Sequence, residues 1–198
     1  MTPLFFNNAG PSVPGKHYMI DPLQRINLAQ IERFITRERY FVLHAPRQTG
    51  KTTCLLALME HLNKQGDYRV LYANIEAAQA WRDNIPEAIR TICYTLARCA
   101  QHDLDDHFML EQAETALQQG AGQALTSLLS LWAQHNNQPT VLLLDEIDSL
   151  VGDSLISVLR QIRGGYAQRP EAFPISIILC GVRDVRDCLL YTSPSPRD

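Results

Sequence analysis

Apolar residues recur at helical spacing over 26–36 (INLAQIERFIT), where Ile26, Leu28, Ile31, Phe34 and Ile35 fall close to one face. The next run, 40–44 (YFVLH), is short, aromatic and β-branched, and reads as a buried strand. From 51 to about 64 the apolar set Cys54, Leu55, Leu58, Met59 and Leu62 predicts a second helix. Gly66 and Asp67 punctuate it, after which 68–75 (YRVLYANI) alternates like a strand. A helix follows over 83 to about 101, with Asp83 or Asn84 as its cap and Pro86 in its first turn. The stretch 103–114 is acidic and reads as a surface connection. The run 123–134 (QALTSLLSLWAQ) is helical and ends at the polar HNNQP. The most hydrophobic strand candidate is 140–144 (TVLLL); a helix over 154–163 stops at Gly164 and Gly165, and 175–180 (ISIILC) makes one more strand.

Strands that are apolar nearly throughout, alternating with helices, predict an α/β fold whose parallel sheet is covered on both faces. Right-handed crossovers then bring the strand-to-helix turns to one edge of that sheet. Residues 1–24, rich in Asn, Gly and Pro, are expected to be an extended lead-in, and 25–187 the folded domain.

Composition narrows the function classes. The 198 residues are 45% hydrophobic and 20% charged, ordinary for one globular domain. Eighteen basic against 21 acidic residues give a net charge of −3, and no basic stripe stands out, so a nucleic-acid reader is disfavoured. No apolar run approaches the ~20 residues of a membrane span, and the amino terminus does not read as a signal peptide. Cysteines at 54, 93, 99, 180 and 188 form no C-x-x-C pair. They read as free thiols of a reducing cytoplasm rather than as a metal site.

Candidate chemistry sits on two turns. Ala45, Pro46, Arg47, Gln48, Thr49, Gly50, Lys51, Thr52 and Thr53 match the phosphate-loop pattern G-x-x-x-x-G-K-[ST], with Ala45 in place of the first glycine. A loop feeding a helix N-terminus aims several N–H groups at one point, and the helix dipole adds positive potential there. Gly50 admits the phosphates closely, Lys51 reaches the β- and γ-phosphates of ATP, and the Thr52 hydroxyl ligates Mg2+. Thr53 reads as a surface or packing residue rather than a second ligand. The second turn closes the strand VLLLDEID. There Asp145 is expected to hold Mg2+ through a water, and Glu146 to orient and deprotonate an attacking water. A small-molecule kinase would not require Glu146. A GTPase would carry Asn-Lys-x-Asp, whereas Asn63-Lys64-Gln65-Gly66 ends in glycine. Asp148 is as readily a cap or turn residue as a catalytic one.

The runs APRQTGKTT, LLLDEID and ILCGVRD, with the approach HYMIDPLQRI, resemble the AAA-like P-loop ATPases of the ASCE class, related to archaeal and STAND-type ATPases. The resemblance covers roughly 5–187. It implies the three-layer P-loop NTPase sandwich, and places Arg183 where such ATPases set a γ-phosphate sensor. It also implies that the lead-in around His17 and Tyr18 approaches the adenine, beside the plainer reading of both as packing residues. A homo-oligomer, with Arg160 or Arg163 acting in trans as an arginine finger, belongs to the same expectation. Residues 188–198 (CLLYTSPSPRD) change character abruptly and resemble the translation of a sequencing adapter. The native chain is therefore expected to depart at about Asp187, leaving the last strands and any helical lid absent and ATP turnover weak. Beside the hydrolase reading stand two others, a nucleotide-gated scaffold that hydrolyses slowly and an initiator-like ATPase whose DNA module is missing.

Overall fold

The computed structural model describes residues 5–6, 15–18, 20–46 and 48–182. Strands β1 (Phe41–His44), β2 (Arg69–Asn74), β3 (Thr140–Asp145) and β4 (Ser176–Gly181) form one parallel sheet in the order β1-β4-β3-β2. The central β3 is buried at every residue, as a strand covered on both faces should be. Edge strand β1 alternates instead, leaving Val42 38% exposed.

Strand pleating sorts side chains onto two cores. Val70, Tyr72, Val141, Leu143, Ile178 and Cys180 face α1 (Leu28–Thr36) and α2 (Lys51–Gln65), meeting Ile31, Ile35, Leu55, Leu58 and Leu62. Their neighbours Leu71, Ala73, Leu142, Leu144 and Ile177 face the other way. That face is covered by α3 (Ile85–Leu104), α5 (Ala124–His135) and α6 (Gly152–Gly165). Each fully buried Leu or Ile contributes about 1.5–3 kcal/mol over an exposed one, so the two stripes hold the layers together. The helices on both faces of a parallel sheet are those the sequence predicts.

Several boundaries move by a few residues for local reasons. The first helix begins at Leu28, because the Asn27 side chain accepts the Gln30 N–H and ends the approach. Residues Pro22–Arg25 within the lead-in and its junction form a 3-10 turn capped by Asp21. Asn84, not Asp83, caps α3, which runs on to Leu104.

One expectation is overturned. The acidic stretch 103–114 is not a surface connection throughout, since α4 (Phe108–Gln118) occupies most of it and buries Met109, Ala113 and Ala116. Asp106, only 8% exposed, makes this packing possible. One of its oxygens accepts the Phe108 N–H at the start of α4, and the other accepts the indole N–H of fully buried Trp132 on α5. A carboxylate with both oxygens bonded can be buried where an unpaired one could not. No helix among the described residues is long and apolar enough to cross a membrane.

Candidate functional site

Loop 45–50 joins β1 to α2 at the carboxyl edge of the sheet. Its turn needs two left-handed residues, Gln48 (φ 59°) and Gly50 (φ 78°). Gly50 is also the N-cap of α2, and no side chain caps that helix. The first-turn N–H groups of α2 therefore lack a side-chain cap, as an anion-binding helix start requires. The Thr49 hydroxyl donates to the Pro46 carbonyl at 2.8 Å and tightens the loop. Lys51 folds back, its Nζ donating to the carbonyls of Ala45 (3.1 Å) and Pro46 (3.3 Å). Arg25, from the lead-in turn, donates to the Thr49 carbonyl at 2.7 Å. A Cβ at Gly50 would lie 2.7 Å from the Arg25 guanidinium, which could swing aside, so the positive φ is what calls for glycine there.

The acidic strand end meets this loop across β4. Asp145 is fully buried. Its Oδ2 accepts the Thr52 hydroxyl at 2.7 Å and the Tyr72 hydroxyl at 3.0 Å, while Oδ1 accepts the Glu146 N–H at 3.0 Å. Burial, then the Asp145 charge and hydrogen bond, push the phenol of Tyr72 and the thiol of Cys180 well above their ordinary values, so both stay protonated donors. Glu146 adopts a left-handed φ of 58°, which turns its backbone sharply out of the strand. Partial burial holds its carboxyl above the ordinary glutamate value, and the charges of Asp145 and Asp148 add to this while Lys51 opposes it. A cavity of about 260 Å³ opens beside the loop, lined by Arg25, Ile26, His44, Ala45, Lys51 and Cys180 among others.

Lys51, Thr52, Asp145 and Glu146 are thus gathered at one edge. Asp148 is not part of that group. It lies in the 3-10 turn Ile147–Ser149, and its Oδ2 accepts the Val182 N–H at 3.1 Å. His17 is buried edge-on against Phe5, and Tyr18 lies against Phe6. Arg160 and Arg163 are exposed on α6. Arg47 and Arg183 fall outside the described residues, as do 188–198. Sequence reasoning missed Tyr72, Cys180 and Arg25. Tyr72 had one available signal, its place on the same pleat face as the α2-facing residues Val70 and Val141.

The AAA domain family model matches residues 33–189, most of the chain, and takes in both turns. The chain belongs to the AAA domain family. This AAA domain has a fold similar to Cdc6p from Pyrobaculum aerophilum, with a TM-score of 0.56 and 19% identity over 89% of this chain and 44% of that one. Drosophila ORC bound to DNA is similar with a TM-score of 0.50 and 15% identity, covering 83% of this chain and 26% of that one. At such identities the likeness is one of fold, and the AAA domain spans under half the length of either chain. No curated protein matches it.

Proposed function

We propose that this AAA domain binds ATP with Mg2+ at loop 45–53 and hydrolyses it with Glu146 as the base. The observation that carries the reading is the 2.7 Å bond between Thr52 and Asp145, which ties the phosphate loop to the acidic strand. Mg2+ prefers hard oxygen donors and usually takes one or two from the protein, the rest from phosphates and water. A threonine hydroxyl and one carboxylate fit that demand. Among the described residues no three His, Cys, Asp or Glu side chains converge as a self-sufficient metal cage. Held by Thr52 and Asp145, Mg2+ would supply positive charge to offset that of the phosphates.

The chain's own residues do the rest. The start of α2 and loop N–H groups receive the phosphates. Lys51 exchanges its two carbonyl partners for β- and γ-phosphate oxygens. Glu146 accepts a proton from water as the water oxygen bonds to the γ-phosphorus; the bond from that phosphorus to the β,γ-bridging oxygen breaks, and ADP departs. Arg183, by family likeness, would sense the γ-phosphate. Arg160 or Arg163, both exposed, would reach it from a neighbouring copy in a homo-oligomer. The net charge of −3 weighs against this chain supplying a DNA surface itself.

Asp145→Asn tests the metal half of the site. Phosphate release, titrated with Mg2+, is expected to need more metal and to reach a lower plateau than in the wild type. A variant with the wild-type magnesium response would remove Asp145 from the reading.

A further inference from the structure

Asp145 is the most enclosed charged group beside the phosphate loop, and Thr52 is not its only hydroxyl partner. Tyr72 comes from β2, the neighbour of β3, with Asn74 opposite Asp145 and Tyr72 opposite Leu143. It therefore starts two residues behind Asp145 along the sheet, about 6.6 Å away at the usual strand rise. Its ring lies on the face covered by α2, packed with Val70, Val141 and Leu143. A tyrosine is long enough for its hydroxyl to reach Asp145 Oδ2, at 3.0 Å. A serine or threonine at this position would be too short to span that separation, and phenylalanine would lack the donor.

The arrangement has a chemical consequence. A carboxylate oxygen offers about two lone-pair directions. On Oδ2 these are met by Thr52 from the loop and Tyr72 from the sheet. Thr52 belongs to the helix that receives the nucleotide, whereas Tyr72 belongs to the rigid sheet and is only 8% exposed. When Thr52 turns its lone pairs toward a metal, the phenol still fixes the rotation of the carboxylate. Oδ1 accepts the Glu146 N–H, so the same carboxylate holds the turn that bears the proposed base.

We propose that Tyr72 is a positioning residue for Mg2+, orienting Asp145 from the sheet so that the metal is held with its bound nucleotide. The proposal rests on reading loop 45–53 and Asp145 as the Mg2+ and ATP site. Partners one shell behind a metal ligand commonly change metal affinity by about 10–100-fold when removed. Tyr72 acts through Asp145 and touches neither nucleotide nor metal itself.

The test uses the full chain, with a non-hydrolysable ATP analogue bound in calorimetry, once in excess EDTA and once in Mg2+. Tyr72→Phe keeps the ring and loses only the donor. Its affinity in EDTA is expected to equal the wild type, while the tightening brought by Mg2+ falls by about 10-fold. Asp145→Asn run beside it is expected to lose that tightening more completely. Should Tyr72→Phe not fold, Tyr72→Met fills the space with an adaptable apolar chain and carries the same expectation. If Tyr72→Phe keeps the wild-type tightening while Asp145→Asn loses it, the role of Tyr72 is overturned and the site reading stands. An equal loss of affinity in EDTA and in Mg2+ would make Tyr72 a packing residue only. Full tightening in both variants would overturn the site reading along with the proposal.

Discussion

Replacing Glu146 by glutamine is expected to slow ATP hydrolysis by about 10²–10⁴ while leaving ATP and Mg2+ bound, the usual worth of a positioned general base. Glutamine keeps the size and hydrogen-bonding reach of the side chain and removes its proton affinity. The setting of Glu146 favours the role. Burial and the neighbouring charges of Asp145 and Asp148 hold its carboxyl above the ordinary value, making its anion a stronger base than a solvated glutamate. A base must be deprotonated to act, so the rate should fall as pH drops through that raised value. The acid limb should disappear from the residual rate of the variant. Lys51, Thr52 and Asp145 are untouched, so nucleotide affinity should hold. Steady-state phosphate release beside calorimetric affinity decides the matter. Wild-type turnover would leave Glu146 as a left-handed turn residue at the end of β3, and move the protein toward a nucleotide-gated scaffold.

Lys51→Ala should raise the dissociation constant for ATP by tens- to hundreds-fold. A charge-assisted hydrogen bond is worth roughly 1.5–3 kcal/mol, and each 1.4 kcal/mol is a factor of ten. In the structure the same ammonium donates to the carbonyls of Ala45 and Pro46. Alanine therefore removes an internal brace as well as a phosphate ligand. Lys51→Arg separates these contributions, because it retains the positive charge but replaces a compact ammonium with a planar fork. Melting temperature of each variant shows whether the loop brace matters to the fold. A folded Lys51→Ala protein with wild-type ATP affinity would remove Lys51 from the nucleotide site.

Much of the fold was legible because the strands are apolar and the helices periodic. In β3 the run of Val141 and three leucines could only be a covered strand, and the apolar stripe of α2 gave that helix to within one residue. The α4 helix was not legible for a physical reason. Its buried stripe is Met109, Ala113 and Ala116, and alanine adds little hydropathy while fitting a close helix contact. The flanking carboxylates then dominate the composition. Asp106 looks like a solvated charge until the Trp132 indole is placed beside it. At the site, the loop and the Asp145–Glu146 pair announce themselves by spacing. Tyr72 does not, because its hydrogen bond depends on β2 lying next to β3. Chain order alone does not give that neighbour relation; the sheet order β1-β4-β3-β2 does.

The chain's two tryptophans lie in opposite surroundings. Trp132 is fully buried with its indole N–H on a carboxylate. Trp81 is 40% exposed, donates to the Thr91 hydroxyl, and sits in a turn that packs against the one following Glu146. The protein therefore carries its own pair of optical reporters. A water-soluble quencher such as iodide should dim the redder emission of Trp81 first, leaving the bluer light of Trp132. Emission from Trp132 then follows the packing of α4 on α5 during denaturation. Emission from Trp81 samples the neighbourhood of the acidic turn in the folded state, with no extrinsic dye attached.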